Sequence, residues 1–312
     1  MNKMIIPFFI GVLFCCGLPA QDTDSIVVVG KKIITLSEVV INNKLNVPGF
    51  INRIKNDSTF YKAFRNLHVL GYSAINDIRM LKKNGSSDAT CFSKTRQIVN
   101  NNCRYMEVLE EQVTGDYYDG NRDYNYYTGR MYASLFLTSG TVCGETNIVA
   151  GNGFSLEGKS GLEKHKEQLK MLFFNPGKRI KGLPFMSGKT AIYDDEMAEV
   201  YDMNIDMDDY NKTSCYLFIQ KVKPGYEGKV VIDEMTTWFN DKTFEVVARN
   251  YSLSYDAGVY DFKVQMEVQM THFGNFLVPS LIRYNGNWKA IFKKRERGVF
   301  TATLFDFTAP AR

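Results

Sequence analysis

Apolar and polar residues alternate most plainly near the end of the chain. In the run Tyr260-Asp261-Phe262-Lys263-Val264-Gln265-Met266-Glu267-Val268-Gln269-Met270, apolar side chains take every second place. A period of two puts them on one face of a β-strand and the polar set on the other. The same pattern predicts strands over 214–222, 228–239, 243–254, 259–273, 276–285, 287–294 and 298–307. Short turn signals separate them: Pro224-Gly225, Asn240-Asp241-Lys242, Ala257-Gly258, Gly274-Asn275 and Gly286. Links this short join antiparallel neighbours, so about 205–307 reads as a meander with one buried face.

Upstream the periods mix. Residues 21–45 read as an extended leader with β-branched runs at 25–29 and 33–41. Phe50, Ile51 and Ile54 share a helical face after Pro48-Gly49. A second helix follows the N-cap signal Asp57-Ser58, with Phe60, Tyr61, Phe64 and Leu67 at helical spacing. Strands are predicted over 69–75, 78–81, 89–99 and 104–114, with a type I′ hairpin turn at Asn84-Gly85. A further strand is expected at 131–137 and loop at 138–158. A helix starting near Ser160-Gly161 should end at Asn175-Pro176-Gly177, and a short helix should open at Asp194. The expected fold class is α+β: one large curved antiparallel sheet, a half-barrel-like meander, with a few helices packed on one side. It occupies a single domain over 46–312.

The first twenty residues differ in kind. Met1-Asn2-Lys3 is a basic start, residues 4–16 are an apolar core, and Ala20 is a small residue before a cut. This is the pattern of a cleavable signal peptide, removed after Ala20. A lipoprotein signal would need a small residue before Cys15 or Cys16, and Phe14 and Cys15 hold those places. No later run reaches the roughly 20 apolar residues that span a bilayer. The expected location is therefore the periplasm or cell envelope, with no transmembrane segment after cleavage.

Charge and cysteines narrow the partners. The formal net charge of +4 over 312 residues is too small to expect nucleic acid. Cys91, Cys103, Cys143 and Cys215 follow the signal. An oxidising compartment permits two disulfides among them, and the first expectation is Cys91 with Cys103 across a hairpin. Four buried free thiols are the other reading.

Candidate chemistry is sparse. His68, His165 and His272 lie on different elements, none with a ligand partner at i+4, and no G-x-S-x-G elbow is present. No catalytic set, metal site or cofactor is expected. Residues 204–211 begin like a calcium loop, but Asp209 and Cys215 hold the places that need Gly and Glu, so a solvated acidic turn is expected. Lys289, Lys293, Lys294, Arg295 and Arg297 could meet anionic lipid head groups. The favoured reading is a solvated strand face that blocks edge pairing. Tyr117, Tyr118, Tyr124, Tyr126 and Tyr127 crowd one loop. They could stack on a ligand, form a lid over an apolar groove, or pin the loop to the sheet, and pinning ranks first.

Three stretches carry a resemblance: Cys215-Tyr216-Leu217-Phe218-Ile219, Val230-Val231-Ile232-Asp233-Glu234-Met235-Thr236-Thr237-Trp238 and Phe276-Leu277-Val278-Pro279-Ser280-Leu281-Ile282-Arg283-Tyr284. They make residues 205–307 similar to the LolA/LolB-like half-barrel superfamily of periplasmic lipoprotein carriers. The resemblance implies a strongly curved sheet closed by helices, with an acyl chain on its concave face, and carries over no functional residue. The stretches 34–41, 57–67, 123–128, 175–177 and 284–288 also resemble a group of exported proteins of Bacteroidetes, which adds no chemistry.

These readings combine into an expectation. The protein should be an exported envelope protein with a lipid or other apolar ligand between sheet and helices. Met235, Trp238, Phe262, Val264, Met266, Val268 and Met270 should line the groove. The alternative is a structural or protein-interaction component of the envelope with a core filled by side chains.

Overall fold

A computed structural model describes residues 25–149, 170–180, 188–256, 260–290 and 294–309. The expected signal at 1–20, most of the helix near 160–175, His165 and Lys293 lie outside the described residues.

One sheet organises the described chain. It opens with β1 (Ser25–Val29) and β2 (Lys32–Leu36), a hairpin. β2 then lies parallel to β7 (Tyr201–Tyr210), with Ile34 opposite Met203 and Leu36 opposite Ile205. From β7 the strands follow in chain order, all antiparallel: β8 (Thr213–Val222), β9 (Ile232–Asn240), β10 (Val246–Asp256), β11 (Tyr260–Phe273), β12 (Phe276–Ala290) and β13 (Glu296–Thr308). β13 pairs with β3 (Gly71–Leu81), and β4 (Ser87–Asn100), β5 (Cys103–Thr114) and the two-residue β6 (Val142–Cys143) finish the order. The result is a large, open, curved sheet of 13 strands, of the expected fold class.

The inner face is apolar and covered. α1 (Glu38–Asn42), α2 (Val47–Asn56), α3 (Thr59–Asn66) and α4 (Tyr127–Phe136) contribute to that cover, with the short α5 (Asp195–Ala198) before β7. α2 packs by Phe50, whose ring lies 5.5 to 6.0 Å from those of Tyr216, Phe218, Phe239 and Phe244. α4 packs by Tyr132, 4.4 Å from Phe300 on β13. Burying a large apolar side chain of this kind stabilises by about 1.5–3 kcal/mol.

Local sequence explains most elements and misplaces some. Residues 37–41 form a helix end rather than a strand because Ser37 caps α1, its Oγ accepting from Val40 N–H at 3.4 Å. The leader is thereby built into the sheet, with Ile34, Leu36 and Val40 buried. At α3, Asp57 supplies the oxygen, taking the Thr59 N–H at 3.0 Å, and Ser58 makes no capping bond. The turn at Asn84-Gly85 is not type I′, because Gly85 alone of the pair has positive φ. The turns with two positive φ values are Asn101-Asn102, between β4 and β5, and Asn211-Lys212, between β7 and β8.

Residues 131–137 lie mostly in α4, not in a strand. The expected acidic turn at 204–211 is mostly the strand β7, whose apolar places, Met203 and Ile205, are buried. Gly286 is not a turn; β12 runs through it, with Gly286 opposite both Val264 and Gly298. A Cβ there would sit 2.2 Å from the Tyr284 hydroxyl, so glycine lets that ring fold along its own strand.

The expected Cys91–Cys103 bridge is also corrected. The disulfide is Cys103–Cys143, which ties β5 to β6. Cys103 faces Asn100 at the hairpin turn, whereas Cys91 faces Val113 near the far end of the same ladder. At about 3.3 Å per residue, the two cysteines are separated by most of a strand. Cys91 and Cys215 are buried free thiols, and burial pushes each up to about 11.

Candidate functional site

A cavity of about 760 Å³ opens between the sheet and the helical cover. Its floor is the inner face of β3 and β13, where Ala74 lies opposite Leu304 and Ala302 opposite Asn76. The small Ala74 and Ala302 leave space above the sheet. α3 supplies Tyr61 and Phe64, and the end of α4 supplies Leu135 and Phe136. Ile148, Val149, Met171 and Phe174 complete the apolar wall, with Phe64 and Phe174 stacked at 4.2 Å. The volume is in the range of ordinary ligand pockets, which are mostly apolar with a few placed polar groups.

Two polar groups border this wall. The first is His68, Glu145 and Arg104. Glu145 Oε1 meets His68 Nδ1 at 2.9 Å, and Arg104 Nε donates to Oε2 at 2.5 Å. Arg104 also donates to Gln97 Oε1 at 3.1 Å and to the Thr138 hydroxyl. Gln97 in turn donates to the carbonyls of Leu67 and Leu70. The strands β4 and β5 thus tie down the chain leaving α3. A smaller cavity of about 260 Å³ is bordered by the same trio together with Cys103, Val142 and Val99.

The electrostatics of the trio follow from its geometry. Burial holds His68 below its ordinary value against the pull of Glu145, so the ring is neutral at pH 7. Burial alone would raise the Glu145 carboxyl. Hydrogen bonds from His68 and Arg104, with their charges, outweigh it and hold the group down to about 2. No nucleophile touches His68 among the described residues, and no three His, Cys, Asp or Glu gather there for a metal. The trio is built to hold structure and present charge.

The second polar group is basic. Lys178 donates to the Lys55 carbonyl and lies 5.8 Å from the centre of the Tyr193 ring, and Arg179 pairs with Asp194 at 2.6 Å. Arg65 reaches the Thr146 carbonyl at 2.6 Å. Lys55, Arg65, Lys178 and Arg179 all border the cavity. Apolar walls beside lysine and arginine suit a molecule with an apolar body and an anionic end.

The residues expected from sequence lie elsewhere. Met235, Phe262, Val264, Met266 and Val268 do face inward, but they are sealed in the core. Met270 is half-buried beside the register shift after Gln269. None borders the cavity. Trp238 is on the opposite face, 5.1 Å from Tyr210, with Nε1 donating to Asp208 at 3.2 Å. The face follows from the alternation Met235, Thr237, Phe239 buried and Thr236, Trp238 not.

The tyrosine loop is pinned to the sheet away from the cavity. Tyr117 is buried and packs edge-on against Tyr118 at 4.9 Å and Tyr124 at 5.9 Å. Tyr118 donates to Glu111 of β5 at 3.0 Å, and Tyr126 to Asp88 at 3.2 Å. Tyr127 is half-exposed, 6.5 Å from Trp288. None of the five borders the cavity. Sequence reasoning missed the cavity because its walls come from α3, α4, residues 145–149 and residues 171–174. Phe64 and Leu67 at helical spacing were its one legible trace.

No family model matches the chain, and no curated protein matches it. Solved structures similar to it include the following two. One is a crystal structure of a domain assigned to an outer membrane lipoprotein-sorting protein of Vibrio parahaemolyticus. It is 8% identical, covers 80% of this chain and 90% of its own, and has a TM-score of 0.27. The other is a DUF1329 family protein from Desulfovibrio piger, 11% identical, covering 80% of this chain and 91% of its own, with a TM-score of 0.24. Among the described residues, no helix is long and apolar enough to cross a membrane.

Proposed function

We propose that this protein works in the cell envelope and holds a ligand with an acyl or comparable apolar chain between its curved sheet and helices. The observation that carries the reading is the cavity of about 760 Å³, floored by Ala74 and Ala302, walled by Phe64, Phe136 and Phe174, and bordered by lysine and arginine. Two features support an exported location: the basic start and apolar core of residues 1–16 before Ala20, and the Cys103–Cys143 disulfide. Mass spectrometry of an organic extract of the purified protein, with displacement of a fluorescent fatty acid, tests the binding. A stoichiometric lipid or saturable displacement is expected. An extract without lipid and no saturable binding would sink the proposal.

A second reading, a protein-interaction component, is favoured by one observation. Among the described residues β5 is an edge strand, paired by β6 at Cys103 and Arg104 alone, and Val108 and Leu109 on it are 59% and 44% exposed. Free edges with apolar side chains invite another strand. Cross-linking of the protein at micromolar concentration, with and without Val108→Lys, separates this role from ligand binding.

A further inference from the structure

Among the described residues, six cations and three carboxylates border the large cavity: Lys55, Arg65, Arg104, Lys170, Lys178 and Arg179 against Asp57, Glu145 and Asp194. With His68 neutral, this border carries an excess of three positive charges, most of the chain's net +4. The carboxylates are already engaged. Glu145 is taken by Arg104 and His68, and Asp194 by Arg179. Asp57 accepts from the Thr59 N–H and hydroxyl, both at 3.0 Å, and so caps α3 instead of pairing with a cation. Lys170 is engaged as well. No carboxylate among the described residues forms an ion pair with Lys55, Arg65 or Lys178.

Two of those three cations meet at one corner. Lys178 Nζ donates to the Lys55 carbonyl and lies 5.8 Å from the centre of the Tyr193 ring. One carbonyl and one ring face serve a group with three donor hydrogens. Burial, then the charges of Arg249 and Lys55, hold the Lys178 ammonium below its ordinary range, and Asp57 pulls the other way without pairing with it. A half-buried ammonium beside a second one is short of negative charge. Ser58, next to Asp57, also borders the cavity, and its hydroxyl makes no capping bond. Arg65 stands at the other end of α3. It donates to the Thr146 carbonyl there, near the matched trio of His68, Glu145 and Arg104. α3 has eight residues and is about 12 Å long, so the two ends are separate places. Phe64, Phe174 and Phe136 make the apolar wall, ring against ring, and Ala74 and Ala302 the floor.

We infer that the ligand is an anionic amphiphile held one way round: its carboxylate or phosphate lies against Lys178 and Lys55 at the start of α3, and its chain lies over Ala74 and Ala302. An oxyanion in that corner supplies the acceptors that Lys178 lacks and offsets two crowded positive charges. The phenylalanine wall receives the chain. The inference rests on the cavity reading and deepens it by giving the ligand a charge and a direction.

Decanoate, decyl phosphate and decanol, each titrated against the purified wild type, Lys178→Met, Lys55→Gln and Arg65→Gln, test the inference. Wild type should bind at least one of the anions about tenfold or more tightly than decanol, a difference of about 1.4 kcal/mol. The tighter anion identifies the head group as carboxylate or phosphate. The gap to decanol should close in Lys178→Met, narrow in Lys55→Gln and persist in Arg65→Gln, with decanol affinity unchanged throughout. Equal affinity for the anions and decanol in wild type would overturn the anionic end and leave the cavity reading standing. A gap that survives both lysine variants and closes in Arg65→Gln would overturn the direction assigned here. No saturable binding of any of the three would overturn the cavity reading, and this inference with it. Lys178→Met should fold, since a neutral chain replaces a half-buried charge that has no ion pair among the described residues. Should it fail to fold, Lys55→Gln decides by the same comparison, because that side chain is exposed.

Discussion

The carboxylate of Glu296 holds the first turn of α4. Its Oε1 accepts from the Tyr127 N–H and its Oε2 from the Thr128 N–H, both at 2.8 Å, and Oε2 also takes the Thr128 hydroxyl at 2.9 Å. A negative charge here satisfies free N–H groups and complements the helix dipole. Glu296→Ala should cost about 1–2 kcal/mol and speed hydrogen exchange in α4. Urea unfolding and exchange mass spectrometry read both. Unchanged protection over 127–136 would mean that packing of Tyr132 alone holds the helix.

That cap also explains what the sequence could not show. The meander was legible because every second residue from Tyr260 to Met270 is apolar, and burial follows the same alternation from Phe262 to Val268. α4 was not legible, because the group that starts it is 168 or more residues away. Gly286 read as a turn because its reason for being glycine is the Tyr284 ring, a packing fact rather than a local signal. The tyrosine loop left three readings open in the sequence, because its partners Glu111 and Asp88 come from other strands. The cavity was hidden for a like reason. Its floor depends on two alanines from β3 and β13, which pair only when the sheet is complete.

The disulfide closes a long loop. Cys103 and Cys143 are 40 residues apart, and the enclosed chain includes the tyrosine loop and α4. Constraining the unfolded chain to that extent is worth about 3–4 kcal/mol in the chain-entropy model. Cys143→Ser, or reduction of the wild type, should lower the urea midpoint accordingly. A change of a few tenths would show that the segment was already ordered without the bridge.

Acid should weaken the fold in two stages through one trio. His68 is held below its ordinary 6.5 by burial, so its contribution is full above that value and is lost as pH falls below it. Glu145 is held from 4.5 down to about 2, so its contribution is full above 4.5 and is lost between 4.5 and 2. The second stage is worth roughly 2–3 kcal/mol at most. Urea midpoints should stay level from pH 8 to about 6.5 and fall from there to pH 3. His68→Phe should flatten the upper stage and Glu145→Gln the lower. A midpoint that rises on acidification would contradict both assignments.

A larger residue on the cavity floor should block the ligand and spare the fold. Ala302 is buried on β13 with the cavity above it. Ala302→Phe adds a ring where space exists, so stability should change by less than about 1.5 kcal/mol. Fatty-acid affinity should drop about tenfold or more. Unchanged affinity in a folded variant would move the ligand away from this floor.

The pairing of β13 with β3 also governs when the protein can become itself. β3 to β6 come early in the chain and β7 to β12 come later, and the last described strand alone joins the two groups. Until β13 is in place, β3 and β12 each present an open edge, and the alanine floor does not exist. A chain built this way has no finished half to fold around during synthesis, since its central seam is laid last. Such late closure keeps the two groups of strands apart until the strand that joins them has been made.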